Sequence, residues 1–133
     1  MMRLTDKKWI KIMQFGEWLG CHQIPERSFF CAGYQFPVCA RCTGVIISSI
    51  IATLVFNKKM ISLDTAFGMS SIMLADWLIQ HYGIKESTNA RRLITGLIGG
   101  YGCTTIQLYG YKYVWSKMYE IIKYVNKKHS VTD

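Results

Sequence analysis

The sequence is poor in charged residues and, among those, poor in acids. Charged side chains make up 18% of its 133 residues, below the roughly 25% of an average soluble domain. Eight Asp and Glu residues stand against sixteen Lys and Arg, which gives a net charge of +8. The cations are scattered at the ends of apolar runs rather than gathered in a stripe. This pattern argues against nucleic acid as a partner and is typical of residues that anchor helices in a bilayer.

The sequence also lacks the features of a secreted disulfide scaffold. Its five cysteines are an odd number, and its start shows no basic stretch followed by an unbroken apolar run and a small-residue cleavage site. No internal repeat is present. Because 133 residues leave room for one core, we expect a single domain over residues 1–133.

Three apolar runs dominate the rest of the chain. Residues 43–56 carry no charge, residues 61–83 contain Asp64 and Asp76, and residues 93–115 are charged only near their end. A bilayer-spanning helix needs about 20 apolar residues, which these runs reach alone or with their flanks. The runs predict an all-α integral membrane protein with three transmembrane helices, and so a multi-pass protein of the cell membrane.

The segments between and beside these runs are less apolar. Residues 1–20 are predicted to form an interfacial helix, with a fourth span as the alternative. Residues 21–42 are predicted to form a Cys/His-rich interfacial loop, and residues 116–133 an amphipathic tail. After the loop, the chain would cross the membrane twice. The polar residues that follow Asp76 would therefore lie on the same side of the membrane as the loop. With three spans, counts of Lys and Arg favour the cytoplasmic face for both clusters, and a fourth span over residues 1–20 would reverse this orientation.

Four of the five cysteines and both prolines fall in one short stretch. Cys39 and Cys42 form a C-x-x-C pair, a spacing that lets two thiolates in one tight turn bind one tetrahedral ion. Cys21 and His22 lie upstream and can complete a zinc site with four ligands, which would be closed and structural. Cys31 can replace either of them. Two other interpretations stay open, a redox dithiol at the start of a helix and cysteines that are inert beside a membrane.

Asp76 is a carboxylate inside an apolar run, where it costs free energy unless it is paired or faces a polar cavity. Arg91 or Arg92, at the start of the next run, is the expected partner. The pair either pins two helices together or serves a substrate. Thr88 or Asn89 is predicted to cap the following helix, whose start, together with Arg92, also suits an anion.

Four short sequences, CHQIPERSF, FPVCARCTG, DWLIQ and ESTNARRLITG, together resemble the signature of the domain-of-unknown-function 2085 family of small predicted membrane proteins. The resemblance covers roughly residues 20–100. It implies a membrane location and supplies no activity to carry over. It leaves out Cys31 and implies as metal ligands Cys21, His22, Cys39 and Cys42.

These observations lead to the hypothesis of a membrane-embedded hydrolase or group transferase acting on an amphiphile with an anionic headgroup. Zinc would shape the pocket, and proton transfer would fall to Asp76, Glu26 and His81. The headgroup would be bound by Arg27, Gln80, Ser87, Thr88, Asn89 and Arg92, and the tail of this lipid or other amphiphile would lie between helices. Two alternatives are a thiol–disulfide oxidoreductase that uses Cys39 and Cys42, and a non-catalytic assembly subunit stapled by zinc.

Overall fold

The computed structural model describes residues 6–58 and 61–129, with side chains as far as residue 127. In these residues a helix, a β-hairpin and three further helices follow one another. Their bounds are α1 Asp6–Trp18, β1 Ser28–Cys31, β2 Tyr34–Cys39, α2 Ala40–Phe56, α3 Leu63–His81 and α4 Asn89–His129. A short 3₁₀ turn at Pro25–Arg27 precedes β1.

The hairpin corrects the prediction of an all-α chain. Strands β1 and β2 pair antiparallel with Cys31 opposite Tyr34, and the turn residues Ala32 and Gly33 have φ of +51° and +84°. Positive φ at both turn positions is the geometry that matches the twist of hairpin strands. Alanine seldom adopts it, so the Ala-Gly pair is a weak hairpin signal. The hairpin leads directly into α2 and so delivers Cys39 to the start of that helix.

Helix α1 lies against the hairpin. Trp9 Nε1 donates a hydrogen bond to the Gln35 carbonyl at 2.9 Å, and Gly16 is buried against the carbonyl of Pro37. A side chain at residue 16 would collide with that carbonyl, so glycine is needed for the approach. The described part of the predicted N-terminal helix is therefore 13 residues long and packs on β2.

Helices α2 and α3 each pack against the first half of α4 through small residues. Gly44 of α2 lies against the carbonyl of Leu93, and Gly96 of α4 lies against the carbonyl of Arg41. These backbone contacts bring the start of α2, with its C-x-x-C pair, directly beside the start of α4. The buried residues in the described part of the chain are mostly glycine, alanine, serine and threonine, and no large side chain is fully buried there.

The prediction of three transmembrane helices, with a fourth as the alternative, is wrong. No helix among the described residues is both long enough and apolar enough to cross a bilayer. Helix α2 has 17 residues, α3 includes Asp64 and Asp76, and glycine, threonine and tyrosine dilute the first half of α4. The multi-pass topology and the cytoplasmic orientation depended on these spans. The two polar clusters nevertheless lie together, because α2, α3 and α4 bring their ends to one place.

Gly44→Ala should separate α2 from α4 and lower the free energy of unfolding. The added Cβ would meet backbone atoms of Leu93 and Leu97, which cannot rotate away, so we expect a loss of about 2 kcal/mol. Gly68→Ala is the matched control, since nothing lies within 4 Å of its added Cβ on α3. It should gain about 0.5–1 kcal/mol from helix propensity. Equal thermal and denaturant unfolding of the two variants would contradict this account of the helix contact.

Candidate metal centre and cationic cleft

Three cysteines from three different segments converge. The sulfur atoms of Cys21, Cys39 and Cys42 all lie within 4.8 Å of one another. The backbone N–H of Cys39 donates to the sulfur of Cys21 at 3.1 Å, which fixes the position of Cys21 relative to the C-x-x-C pair. Three sulfur atoms this close can hold a metal ion, so the clustering of cysteines expected from the sequence is present in the fold.

The loop that carries Cys21 is shaped by Gly20 and Gln23. Gly20 has φ of +78°, which ends α1 and turns the chain back toward β2. Gln23 then donates through Nε2 to the carbonyls of Met13 at 2.6 Å and Pro37 at 2.7 Å. Because the same amide joins α1 and β2, Cys21 is held next to the strand end at Cys39.

The three thiols differ in acidity. A hydrogen bond from Cys42, aided by one from Cys21, lowers the pKa of Cys39 from 9.0 to about 5. The pKa of Cys42 is raised, chiefly because this hydrogen bond to Cys39 holds its proton and also because burial disfavours its thiolate. Cys39 is thus a thiolate at neutral pH and Cys42 a thiol that donates to it. A metal ion would have to displace the proton of Cys42.

The other predicted ligands lie outside this cluster. His22 is exposed and borders the same cleft as the cysteines, but it does not belong to the group of converging ligand atoms. Cys31 is exposed at the hairpin turn, and Cys103 lies on α4, where its thiol donates to Ser70 Oγ at 3.4 Å. The described residues therefore offer three convergent ligands.

All three cysteines border a cleft of about 370 Å³. Three arginines from different elements share its lining, namely Arg27, Arg41 and Arg92. Burial lowers the pKa of Arg92, and the charges of Arg27 and Arg41 lower it further. The repulsion among these arginines reflects an excess of positive charge around the cleft, and this excess favours an anionic ligand.

Asp76 lies behind the cleft and joins three helices. Its side chain is 3% exposed, and Oδ2 accepts from Arg41 Nη2 of α2 at 2.6 Å. Arg91 Nε of α4 lies 2.8 Å from Oδ1 as an ion pair, although without the alignment of a hydrogen bond. Gln80 at 2.6 Å and Thr95 at 3.2 Å also donate to Oδ2. Asp76 itself does not border the cleft.

A second chain of hydrogen bonds fixes Arg92. Its Nε donates to Gln80 Oε1 at 3.1 Å and its Nη1 to Asn89 Oδ1 at 3.2 Å. Asn89 in turn donates to the Ser28 carbonyl at 3.2 Å, which ties α4 to the hairpin. Gln80 thus links the two networks, since its amide nitrogen donates to Asp76 while its oxygen accepts from Arg92. Of the two arginines expected beside Asp76, Arg91 forms the ion pair and Arg92 faces the cleft.

The remaining predicted site residues divide into two groups. His81 borders the cleft and stacks on Trp77, with ring centroids 4.8 Å apart. Glu26, Ser87, Thr88 and Asn89 do not border it. Glu26 is exposed on the 3₁₀ turn, and Ser87 is buried. Thr88 precedes α4, and its Oγ1 accepts from the Arg91 N–H at 3.3 Å, so the predicted cap is confirmed.

Sequence reasoning missed Arg41 as a site residue. Arg41 binds Asp76 and borders the cleft, yet its signal was only its place between Cys39 and Cys42. From the local sequence alone, an arginine between two metal ligands would be predicted to be a solvated surface residue. Its role depends on α3, a helix distant in sequence whose carboxylate it reaches, and nothing local in the sequence predicts that contact.

An apolar groove of about 450 Å³ adjoins the cleft. The two cavities share Arg41 and Trp77 as lining residues. The groove follows α3 and is otherwise lined by Phe67, Ser70, Ser71, Met73, Leu74 and, from α4, Cys103. Because α2 and α3 both pack on α4 rather than closely on each other, this space remains between them.

Comparisons with known proteins place these residues in a family. A family model described as predicted membrane proteins of the domain-of-unknown-function 2085 group matches residues 21–106. An uncharacterised protein of Methanocaldococcus jannaschii is 35% identical over 102 residues, which are 71% of this chain and 65% of that protein's length. An uncharacterised protein of Methanothermobacter thermautotrophicus is 33% identical over 91 residues, which are 65% of this chain and 82% of that protein's length. No solved structure matches. The matched segment contains all the cleft arginines and clustered cysteines.

Cys39 should react with iodoacetamide at a lower pH than an ordinary thiol. Thiolate is the reactive form, so in the metal-free protein its alkylation should reach half its maximal rate near pH 5. Cys42→Ala removes the donor and should move this midpoint upward, toward 9.0. Cys31→Ala is the control and should leave it in place. The rate is measured by mass spectrometry of the Cys39 peptide. A wild-type midpoint at or above pH 8 would refute the hydrogen bond from Cys42 to the Cys39 thiolate.

Proposed function

The chain belongs to the domain-of-unknown-function 2085 family, and we propose that it is a zinc-dependent hydrolase or group transferase for an amphiphile with an anionic headgroup. The observation that carries the proposal is the junction of two unlike cavities. A cationic cleft beside three cysteines meets an apolar groove at Arg41 and Trp77. A headgroup in the cleft and an acyl chain in the groove would match this arrangement.

The ligand set supports zinc. Cysteine thiolates are soft ligands that select zinc over the hard divalent cations, and three of them occupy three corners of a tetrahedron. Cys21, Cys39 and Cys42 would hold the ion, and because His22 lies outside their cluster, a water molecule from the cleft would complete the site, as in catalytic zinc sites. Zinc bound there would act as a Lewis acid toward the water and the headgroup.

The arginines support an anionic headgroup. Guanidinium groups bind phosphate and carboxylate through paired N–H donors. Arg27 and Arg92 border the cleft, and within the described residues neither forms a hydrogen bond or an ion pair with a carboxylate. Arg41 keeps a buried Nε without a hydrogen-bond partner in this part of the chain. That donor remains for an oxygen of the headgroup.

Hydrolysis would add the oxygen of one water molecule to the headgroup's phosphorus or carbonyl carbon. The bond from that atom to the leaving oxygen would break, and a proton from the water would pass to the leaving oxygen. We assign this transfer to His81, because its exposed ring borders the cleft. Asp76 acts as a positioning residue that holds Arg41 and Gln80.

A thiol–disulfide oxidoreductase is the second candidate. Cys39 is the N-cap of α2 and Cys42 lies in its first turn, the placement of redox C-x-x-C pairs. In this reaction the two thiols would be oxidised to a disulfide while a substrate disulfide is reduced to two thiols. A metal-free protein as purified, with Cys39 and Cys42 joined, would favour it over the zinc enzyme.

Dodecyl phosphate tests the hydrolase proposal, because it joins an anionic headgroup to a single apolar chain. We expect the zinc-loaded full chain to release inorganic phosphate and dodecanol from it. Arg27→Gln should slow release by more than about tenfold, since hydrogen bonds to charged groups contribute roughly 1.5–3 kcal/mol. Lys85→Gln is the matched control, because Lys85 is an exposed cation outside the cleft lining, and it should leave the rate unchanged.

A bulky side chain in the groove tests whether the groove binds the apolar chain of the amphiphile. Ser71→Trp places a large ring in the groove lining and should raise KM for dodecyl phosphate while leaving methyl phosphate hydrolysis unaffected. Ile72→Trp, at the neighbouring exposed position outside the lining, should change neither. Dodecanoyl glycolate, an ester with a leaving oxygen, replaces the phosphate by a carboxylate and distinguishes the two headgroup classes. Absence of turnover with both probes in a zinc-loaded, folded protein would refute the hydrolase proposal. The remaining hypothesis would then be a non-catalytic assembly subunit stabilised by zinc.

A further inference from the structure

The end of α4 extends beyond the body of the protein. Tyr109 is anchored there, since its hydroxyl donates to the Ile61 carbonyl at 2.9 Å and its ring meets that of Phe56 edge-on. Every residue from 110 to 127 is exposed, including Trp115 at 75%. The family match ends at residue 106, so the role of this segment is not covered by the family description.

The exposed segment is sharply amphipathic. At about 100° per residue, its aliphatic side chains together with Trp115 and Met118 fall within roughly a third of the helix circumference. This apolar face consists of Val114, Trp115, Met118, Ile121, Ile122 and Val125. The opposite side carries Lys112, Ser116, Glu120, Lys123 and Lys127. The face runs from Val114 to Val125, which is about 18 Å at 1.5 Å per residue, and burying it would be strongly favourable.

Charge identifies the kind of surface that would cover this face. Residues 110–127 contain four lysines and one glutamate, and that glutamate is 2.9 Å from Lys117. Pairing with a second copy would bring two net-positive helices together. The positions flanking the apolar face in such a pair would include Lys117 and Tyr124, with no acidic partner to meet them. An anionic surface complements the lysines instead.

The aromatic content points to a lipid surface. Five tyrosine and tryptophan residues lie between positions 111 and 124, and these amphipathic rings favour the boundary between headgroups and acyl chains. We propose that residues 110–127 form an interfacial helix that lies in the surface of an anionic lipid bilayer, with the apolar face toward the acyl chains and the lysines among the headgroups. This inference does not depend on the zinc site or on the proposed reaction.

Hydrogen exchange of the full chain tests the proposal at the segment itself. Amides of residues 111–127 should exchange roughly tenfold slower or more on vesicles of equimolar phosphatidylcholine and phosphatidylglycerol, because an exposed single helix opens easily and a bound one does not. Vesicles of phosphatidylcholine alone should protect them less. Lys123→Gln with Lys127→Gln should weaken binding to the anionic vesicles by about fivefold per lysine.

A matched pair of variants separates the apolar face from charge. Ile122→Asp and Ser116→Asp each add one negative charge to exposed positions on opposite sides of the helix. Ile122→Asp should abolish the protection, and Ser116→Asp should reduce it only modestly. Equal protection on neutral and anionic vesicles would overturn the proposal. Protection without vesicles that rises with protein concentration, together with a doubled mass in solution, would overturn it in favour of helix pairing.

Discussion

The buried carboxylate of Asp76 is the interaction on which the arrangement of the helices depends. It lies on α3 and forms ion pairs with Arg41 of α2 and Arg91 of α4, while its own side chain is 3% exposed. A buried charge without partners is costly, so these helix ends are held together. Because Arg41 lies between Cys39 and Cys42, the same ion pair orients the C-x-x-C pair toward the cleft.

The consequences reach both cavities. Arg41 forms part of the lining of the cationic cleft and of the apolar groove, so the carboxylate behind it sets the point where polar and apolar binding spaces meet. Gln80 relays the arrangement to Arg92. An ion pair that pins helices and a residue that serves a substrate were alternatives at the level of sequence. In our account the ion pair that pins the helices also serves the substrate, because Asp76 positions arginines that line the cleft.

Part of this could be predicted from sequence and part could not. The clustering of Cys21, Cys39 and Cys42, the cap at Thr88 and the family membership followed from local spacing and motifs. Transmembrane helices were wrongly predicted, because uncharged runs rich in glycine, threonine and tyrosine were counted as apolar. The hairpin was missed because its turn at Ala32 carries little turn preference. The ion pair of Arg41 with Asp76 joins residues 35 positions apart and has no local signature.

The central claim is a metal centre with three sulfur ligands and one open position facing the cleft. X-ray absorption at the zinc edge of the purified full chain tests it most directly. We expect about one zinc per chain with three sulfur neighbours at about 2.3 Å and one oxygen at about 2.0 Å. A fourth sulfur, or the scattering of an imidazole from His22, would mean a closed structural site. Protein without zinc would contradict the centre itself.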